Sequence, residues 1–282
     1  MINEQYKLLG RKVADLRQED DFYPTPAYVT QALLDNYRFT GEIWEPACGD
    51  GRMSKILEQH YSKVESSDLI NRGYGTAGVD FLASSREVDN IITNPPFSLF
   101  REFLAWIVEA NKKFIIIGNM NAITYKEVFP LIKANKMWLG YSIHSGDREF
   151  EVPNDYPLAA AGWRIDENGR KFIRVKGVRW FTNIDHGRRH EPLPLMTMAD
   201  NLRFSKHKEL KGKTAYDRYD NYDAIEVPFT DAIPSDYDGV MGVPISFLDK
   251  YCPEQFEILG MASSAGYNVE IVGISVSYTH LR

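Results

Sequence analysis

The sequence predicts an α/β protein built on an open, doubly wound, mostly parallel sheet. Three observations predict it. Short apolar runs alternate with helical periods from Ile43 to Tyr141, the rhythm of strand–helix–strand units. One run, Lys113 to Gly118, is apolar through Phe114-Ile115-Ile116-Ile117, as expected of a central parallel strand covered on both faces. A turn with two glycines, Gly49 and Gly51, joins the first strand to the helix behind it. That is where sheets of this class receive ligands.

Composition bounds the alternatives. The chain has 282 residues, 44% hydrophobic and 13% aromatic, which supports a packed core and excludes a disordered chain. No apolar run approaches the roughly 18 residues of a bilayer span, and the polar start is unlike a signal peptide. Cys48 and Cys252 lie far apart without metal-ligand spacing, so no metal site or disulfide framework is expected and a reducing cytoplasm is. The net charge of −6 argues weakly against a nucleic-acid partner. Charge is uneven, however. Residues 163–213 hold thirteen bases and six acids, which leaves +7 there and −13 in the remainder. A chain of that kind is compatible with one nucleic-acid-facing side.

Residues 1–21 are charged, helix-prone and peripheral. Phe22-Tyr23-Pro24-Thr25-Pro26 then forms a turn that opens a helix over Ala27 to Tyr37, with Thr25 as N-cap and Pro26 at the first helical position. Glu42 to Met53 joins a short strand to a helix running from Ser54 to Tyr61. In between, Gly49 and Gly51 let the backbone turn tightly and approach a ligand, and the helix start offers free N–H groups. The loop lacks the third glycine of a dinucleotide fingerprint and the lysine of a P-loop, so neither NAD nor ATP is expected. Strand two, Lys63 to Asp68, ends in an acid about 20 residues after the loop, where a carboxylate can accept ribose hydroxyls. In Gly78 to Leu82, Asp80 could accept from an adenine amino group and Phe81 could stack on its ring.

Strand four, Val88 to Thr93, runs into Asn94-Pro95-Pro96-Phe97. Two prolines remove two backbone donors and fix φ twice, so the chain leaves the strand in a rigid, non-helical turn. One amide, one carbonyl and one ring suit the gripping of a planar group with an exocyclic amine. Read alone, the tetrapeptide is equally a strand-ending turn with a hydrophobic staple. The helix after it is expected to bury Phe100, Phe103, Leu104, Ile107 and Val108. Ile123 to Asn135 reads as a further helix and Met137 to Tyr141 as a strand. Beyond Ser142 the rhythm gives way to aromatics, arginines and turn residues. Strand-like runs occur at Arg170 to Val175, Val178 to Thr182 and Phe256 to Met261, with a short helix at Val243 to Tyr251. Asp185 to His190 is a compact basic loop, also readable as a solvated hairpin end.

Pro46-Ala47-Cys48-Gly49-Asp50-Gly51, Asp68, Asp80 and Asn94-Pro95-Pro96-Phe97 resemble the ordered motifs of S-adenosylmethionine-dependent amino-methyltransferases. Residues 179–189, 219–225 and 236–244 are similar to the EcoRI-type adenine-specific methyltransferase family, and the likeness runs over roughly residues 20–260. It implies a Rossmann-like methyltransferase sheet with a C-terminal DNA-recognition region. It further implies adenine-N6 methylation at a specific duplex site, as an orphan enzyme or within restriction-modification. A cognate endonuclease would then share the system without direct contact, in a bacterial or phage-encoded setting.

Carried over residue by residue, Tyr23, Thr25 and Pro26 would close over S-adenosylmethionine. Glu45, Pro46, Ala47, Gly49 and Gly51 would cradle it, Asp68 would hold the ribose, and Asp80 with Phe81 the adenine. Asn94, Pro95, Pro96 and Phe97 would be catalytic, and Arg179, His186, Arg188 and Arg189 would contact DNA. The expected division is a catalytic domain over 20–141 and a target-recognition region over 142–274. The stretch 275–282 resembles the translation of a sequencing adaptor and is expected to be a non-native tail. Methylation of a protein glutamine amide, or of RNA adenine, is the competing expectation.

Overall fold

The computed structural model describes residues 22–143, 148–152, 154, 162–220, 222–263 and 270–276. The expected helical stretch 1–21 and most of the expected tail lie outside them. The chain divides into two compact units. The first holds the described residues up to Met120 together with Ser142–Ile184, and the second holds Asn121–Tyr141 and the described residues from Asp185 onward.

The first unit begins with α1 (Ala27–Asn36), which buries Val29, Thr30, Leu33 and Leu34. Pro26 occupies its N-cap position and no side chain caps it. The expectation that Thr25 caps this helix is therefore corrected: Thr25 is 5% exposed, on the wall of the cavity described below. Next come β1 (Ile43–Glu45), α2 (Arg52–His60), β2 (Val64–Asp68) and β3 (Thr76–Ala77). A 3₁₀ turn at Phe81–Ala83 leads to β4 (Asn90–Thr93), α3 (Phe100–Glu109) and β5 (Lys113–Asn119). These strands stand in the order β3-β2-β1-β4-β5 and all pair in parallel, the doubly wound order in which β1 and β4 diverge. β1 and β4 are buried along their whole length, without alternation, and carry the polar Glu45, Asn90 and Thr93 inside along with their apolar residues. Helix α3 buries Phe100, Phe103, Leu104 and Ile107 against the sheet, but Val108 is 41% exposed. The helical period carries it past the edge of the buried stripe.

The following segment belongs to the second unit. Here the long helix expected over Ile123 to Asn135 is replaced by a 3₁₀ stretch, Met120–Thr124, and a short α4, Phe129–Lys133. Pro130 sits in the first turn of α4, the place where a helix tolerates its missing N–H, so a helix cannot run through it from upstream. β6 covers only Trp138–Leu139.

The chain then returns to the first unit as β7 (Arg148–Val152), β8 (Trp163–Ile165) and β9 (Lys171–Val175), an antiparallel sheet in the order β7-β9-β8. β10 (Val178–Thr182) adds antiparallel to β5, with Val178 opposite Asn119 and Thr182 opposite Ile115. The Asn183 side chain prolongs the ladder: its Oδ1 accepts from Phe114 N at 2.8 Å and its Nδ2 donates to Lys112 O at 2.9 Å. The compact units thus do not follow the expected division at 141/142, because residues 142–184 complete the first unit.

The second unit continues with α5 (Met198–Phe204), capped by Thr197, whose side chain accepts from Asp200 N. β11 (Ala224–Glu226), β12 (Val240–Pro244), β13 (Phe256–Ser263) and β14 (Glu270–Val276) form a mainly antiparallel sheet in the order β11-β12-β14-β13. The helix expected near Val243 to Tyr251 is a 3₁₀ stretch over Ile245–Lys250.

Candidate active site

The carboxyl ends of β1, β2 and β4 converge on a cavity of about 480 Å³. Its floor is the turn after β1. Gly49 has φ +57° and Gly51 φ +78°, which puts both in the left-handed region open to glycine. Gly51 N donates to Cys48 O at 2.8 Å and closes the turn. A Cβ on Gly49 would stand 2.3 Å from the Phe22 ring, so only glycine lets that ring lie on the loop. Gly51 serves a different neighbour: its absent Cβ leaves room for the ring of Tyr74, and it does not line the cavity. In this fold Gly51 serves the turn and the packing of Tyr74. Pro26 is also absent from the lining, because its position at the head of α1 turns it toward a neighbouring groove.

The other expected cofactor residues are brought together. Tyr23, Thr25, Glu45, Pro46, Ala47, Gly49, Asp68, Asp80 and Phe81 all line the cavity. Asp68 is tied in place by its own backbone surroundings, with Oδ2 accepting from Gly49 N and Oδ1 from Ile70 N, both at 2.8 Å. Each carboxylate oxygen keeps a further lone pair for a ligand hydroxyl. Asp80 caps the 3₁₀ turn by accepting from Leu82 N at 2.9 Å. The Phe81 ring is 6% exposed and packs 4.1 Å, centroid to centroid, from Phe103. It is an aromatic wall shared by core and cavity, less exposed than a free stacking platform would be.

Glu45 is 2% exposed. Burial pushes its carboxyl well above the ordinary range, against hydrogen bonding from Ser54, while Asp68 and Asp50 push it further up. Ser54 Oγ donates to Glu45 Oε2 and accepts from Ser66 Oγ at 2.7 Å, so the buried group is satisfied from beneath. Burial likewise drives the Cys48 thiol up to about 12, which makes it an inert part of the wall.

Asn94, at the end of β4, also faces the cavity. Its Nδ2 donates to Tyr23 O at 2.9 Å. That bond fixes the amide plane, and Oδ1 accepts no hydrogen bond from the described residues. Pro96 lines the cavity, Pro95 is buried and outside the lining, and Phe97 stacks on Tyr23 with centroids 6.3 Å apart at 26°. The turn after β4 and the segment before α1 are thus held together twice, by one hydrogen bond and one ring pair. Phe22, at the head of the expected closing turn, lines the cavity too, and Arg52, Leu69, Arg72, Ser98 and Leu99 do so without having been singled out in the sequence. Apart from Arg52, at the start of α2, these five lie on loops or turns whose contacts no motif spells out.

The four expected DNA contacts part company. Arg179 lies on β10, 3% exposed, with Nη1 donating to Val178 O, so it is withdrawn from any surface contact. Arg189 is 7% exposed: its guanidinium lies 3.8 Å from the Trp138 ring centroid and bonds Asp185 at 3.3 Å and also Asn135. It is corrected to a structural role in the second unit. His186 is half-buried, its Nε2 lies 3.2 Å from Leu139 O, and burial holds its imidazole below the ordinary value. Arg188 is exposed, stacked 4.3 Å over Tyr141, and no carboxylate of the described residues pairs with it. Of the four, it is the only one exposed.

The family model described as "Adenine-specific methyltransferase EcoRI" matches residues 78–280. The chain belongs to this adenine-specific methyltransferase family. Within it, the chain is 49% identical to the type II methyltransferase M.EcoRI of Escherichia coli over 75% of this chain and 55% of that protein. It is 34% identical to M.MpnI of Mycoplasma pneumoniae over 73% of this chain and 62% of that one. It is 37% identical to M.MgeORF184P of Mycoplasma genitalium over 62% and 52%. The chain therefore spans a little more than half the length of these curated relatives. Among the described residues no group of side chains could hold a metal ion, and no helix is long and apolar enough to cross a membrane.

Proposed function

We propose that the protein is a DNA adenine-N6 methyltransferase that uses S-adenosylmethionine and acts on an adenine turned out of a specific duplex site. The observation that carries this reading is Asn94, whose amide nitrogen is tied to Tyr23 O while Oδ1 stays available at the cavity. The cavity fits the cofactor on its donor set. Glu45, Asp50, Asp68 and Asp80 supply carboxyl groups for ribose hydroxyls, an adenine amine and the positive end of the methionine, while Phe81 and Phe22 supply ring walls. When bound, S-adenosylmethionine supplies a methyl group activated by a sulfonium.

The residues of the chain prepare the acceptor. An adenine amine is a poor nucleophile because its lone pair is delocalised into the ring. Asn94 Oδ1, accepting one amine hydrogen at the cavity, favours a pyramidal nitrogen with its lone pair directed to the methyl. Most of the rate then comes from positioning. The stacked Tyr23 and Phe97 rings offset part of the cost of unstacking a base. Arg188, exposed in the basic loop, supports a nucleic-acid acceptor over a protein one.

The test compares duplex DNA, RNA and protein as acceptors of a labelled methyl group, using the wild type and Asn94→Ala. We expect labelled duplex DNA for the wild type. For Asn94→Ala we expect a loss of at least about a hundredfold in transfer, typical of removing one oriented catalytic contact, with S-adenosylhomocysteine binding retained. Label in RNA or protein but not DNA, or full activity in the variant, overturns the reading.

A further inference from the structure

Three segments far apart in the chain meet in a stack at one wall of the cavity. The Arg72 guanidinium lies 4.1 Å from the centroid of the Phe22 ring, and that ring lies against Gly49 where a side chain would otherwise be. All three residues line the cavity. We propose that Arg72 is a positioning residue: through Phe22 it forms a clasp that closes over the bound cofactor and sets how fast it is exchanged.

The loop carrying Arg72 is built to present it. At the loop's base Asp68 Oδ1 accepts from Ile70 N, and within it Asn71 Oδ1 accepts from Gly73 N at 3.0 Å. On its far side Tyr74 Oη donates to Glu58 Oε1 at 2.6 Å, and Lys55 Nζ sits 4.9 Å over the Tyr74 ring. The loop is therefore anchored to β2 and to α2 on either side of Arg72. The opposing jaw is the Phe22–Pro26 segment, held by the bond from Asn94 to Tyr23 O. A planar guanidinium suits this contact better than an ammonium, because it lies flat on a ring face. Opening the cavity at this wall breaks the stack. Gly49 of this stack donates to Asp68 Oδ2, and Tyr23, next to Phe22, accepts from Asn94, so the clasp would couple cofactor retention to the geometry of the turn after β4.

The inference rests on the cofactor reading above, and its test separates the two. S-adenosylhomocysteine dissociation from the protein is measured for wild type, Arg72→Ala, Arg72→Lys, Phe22→Ala and the Arg72→Ala/Phe22→Ala pair, with melting curves to confirm folding. An exposed to partly desolvated cation–π contact corresponds to a change of about two- to thirtyfold. We expect dissociation faster by that factor in each alanine variant, an intermediate rate for Arg72→Lys, and no further acceleration in the pair. Wild-type binding with an unchanged rate in Arg72→Ala, or with effects that multiply in the pair, overturns the clasp and leaves the cofactor reading standing. No binding by the wild type overturns both.

Discussion

Asn94, Gly49 and Asp68 show how single residues hold this site in shape before any ligand arrives. Gly49 is read directly from sequence, because a turn after a strand needs φ above zero. What it admits, the Phe22 ring, is not, because that contact joins residues 27 positions apart through space. The same holds for Glu45. Its acid character is plain in the sequence, but its burial and its bond from Ser54 exist only in the fold. This burial has a pH consequence. A carboxyl whose value is raised in the folded protein holds its proton more tightly there than when unfolded. The associated stability is fully present below the ordinary carboxylate range and is lost as pH rises through the raised folded value. Glu45→Gln should flatten that dependence, so that in urea melts across a pH series the variant gains on the wild type as pH increases. Parallel stability curves for the two proteins would contradict a buried, raised carboxyl at this position.

At the scale of elements, the parallel strands and their helices were legible because each carries its own period. Runs of 3–5 buried residues at β1, β4 and β5 left no other assignment. The expected helix over Ile123 to Asn135 failed at Pro130, a local rule that outweighs the apolar period around it. Basic residues proved the least legible class, since charge alone does not say which arginines are buried. Arg189 braces the loop Gly187–His190 from within, whereas Arg188 points out of it. The two neighbours should separate by experiment. Arg189→Ala should lower the stability of the second unit by roughly 1–3 kcal/mol through the lost stack on Trp138. Arg188→Ala should cost less stability, at most the roughly 0.5–1 kcal/mol of an exposed stack on Tyr141, and weaken DNA binding, with a shallower salt dependence by about one phosphate contact. Equal melting losses in both, or unchanged DNA affinity and target choice across a salt series in Arg188→Ala, would refute this assignment. His190 strengthens the same loop. Glu254 at 2.6 Å and Asp185 at 2.9 Å hold its imidazole above the ordinary value, so this contribution is complete at acid pH and fades as pH rises through the raised value.

On the scale of the whole molecule, the cavity and its lining lie within the first unit. A ligand that binds there should therefore stabilise that unit by mass action. S-adenosylhomocysteine at a hundred times its Kd should add about 2.7 kcal/mol, a rise of about 5–11 °C in a unit of this size. Calorimetry with and without the ligand checks this, and an unmoved first-unit transition counts against the site. The order of the chain through the two units bears on how the protein is made. Residues up to Met120 belong to one unit, Asn121–Tyr141 to the other, and Ser142–Ile184 to the first again. β5 receives its antiparallel neighbour only through Val178–Thr182. A nascent chain leaving the ribosome therefore displays β5 with an open edge while some sixty further residues are translated, an interval of several seconds at ordinary elongation rates. An open apolar strand edge is the usual template for mispairing, so this interval is where holding chaperones and slow codons would have their greatest effect on yield.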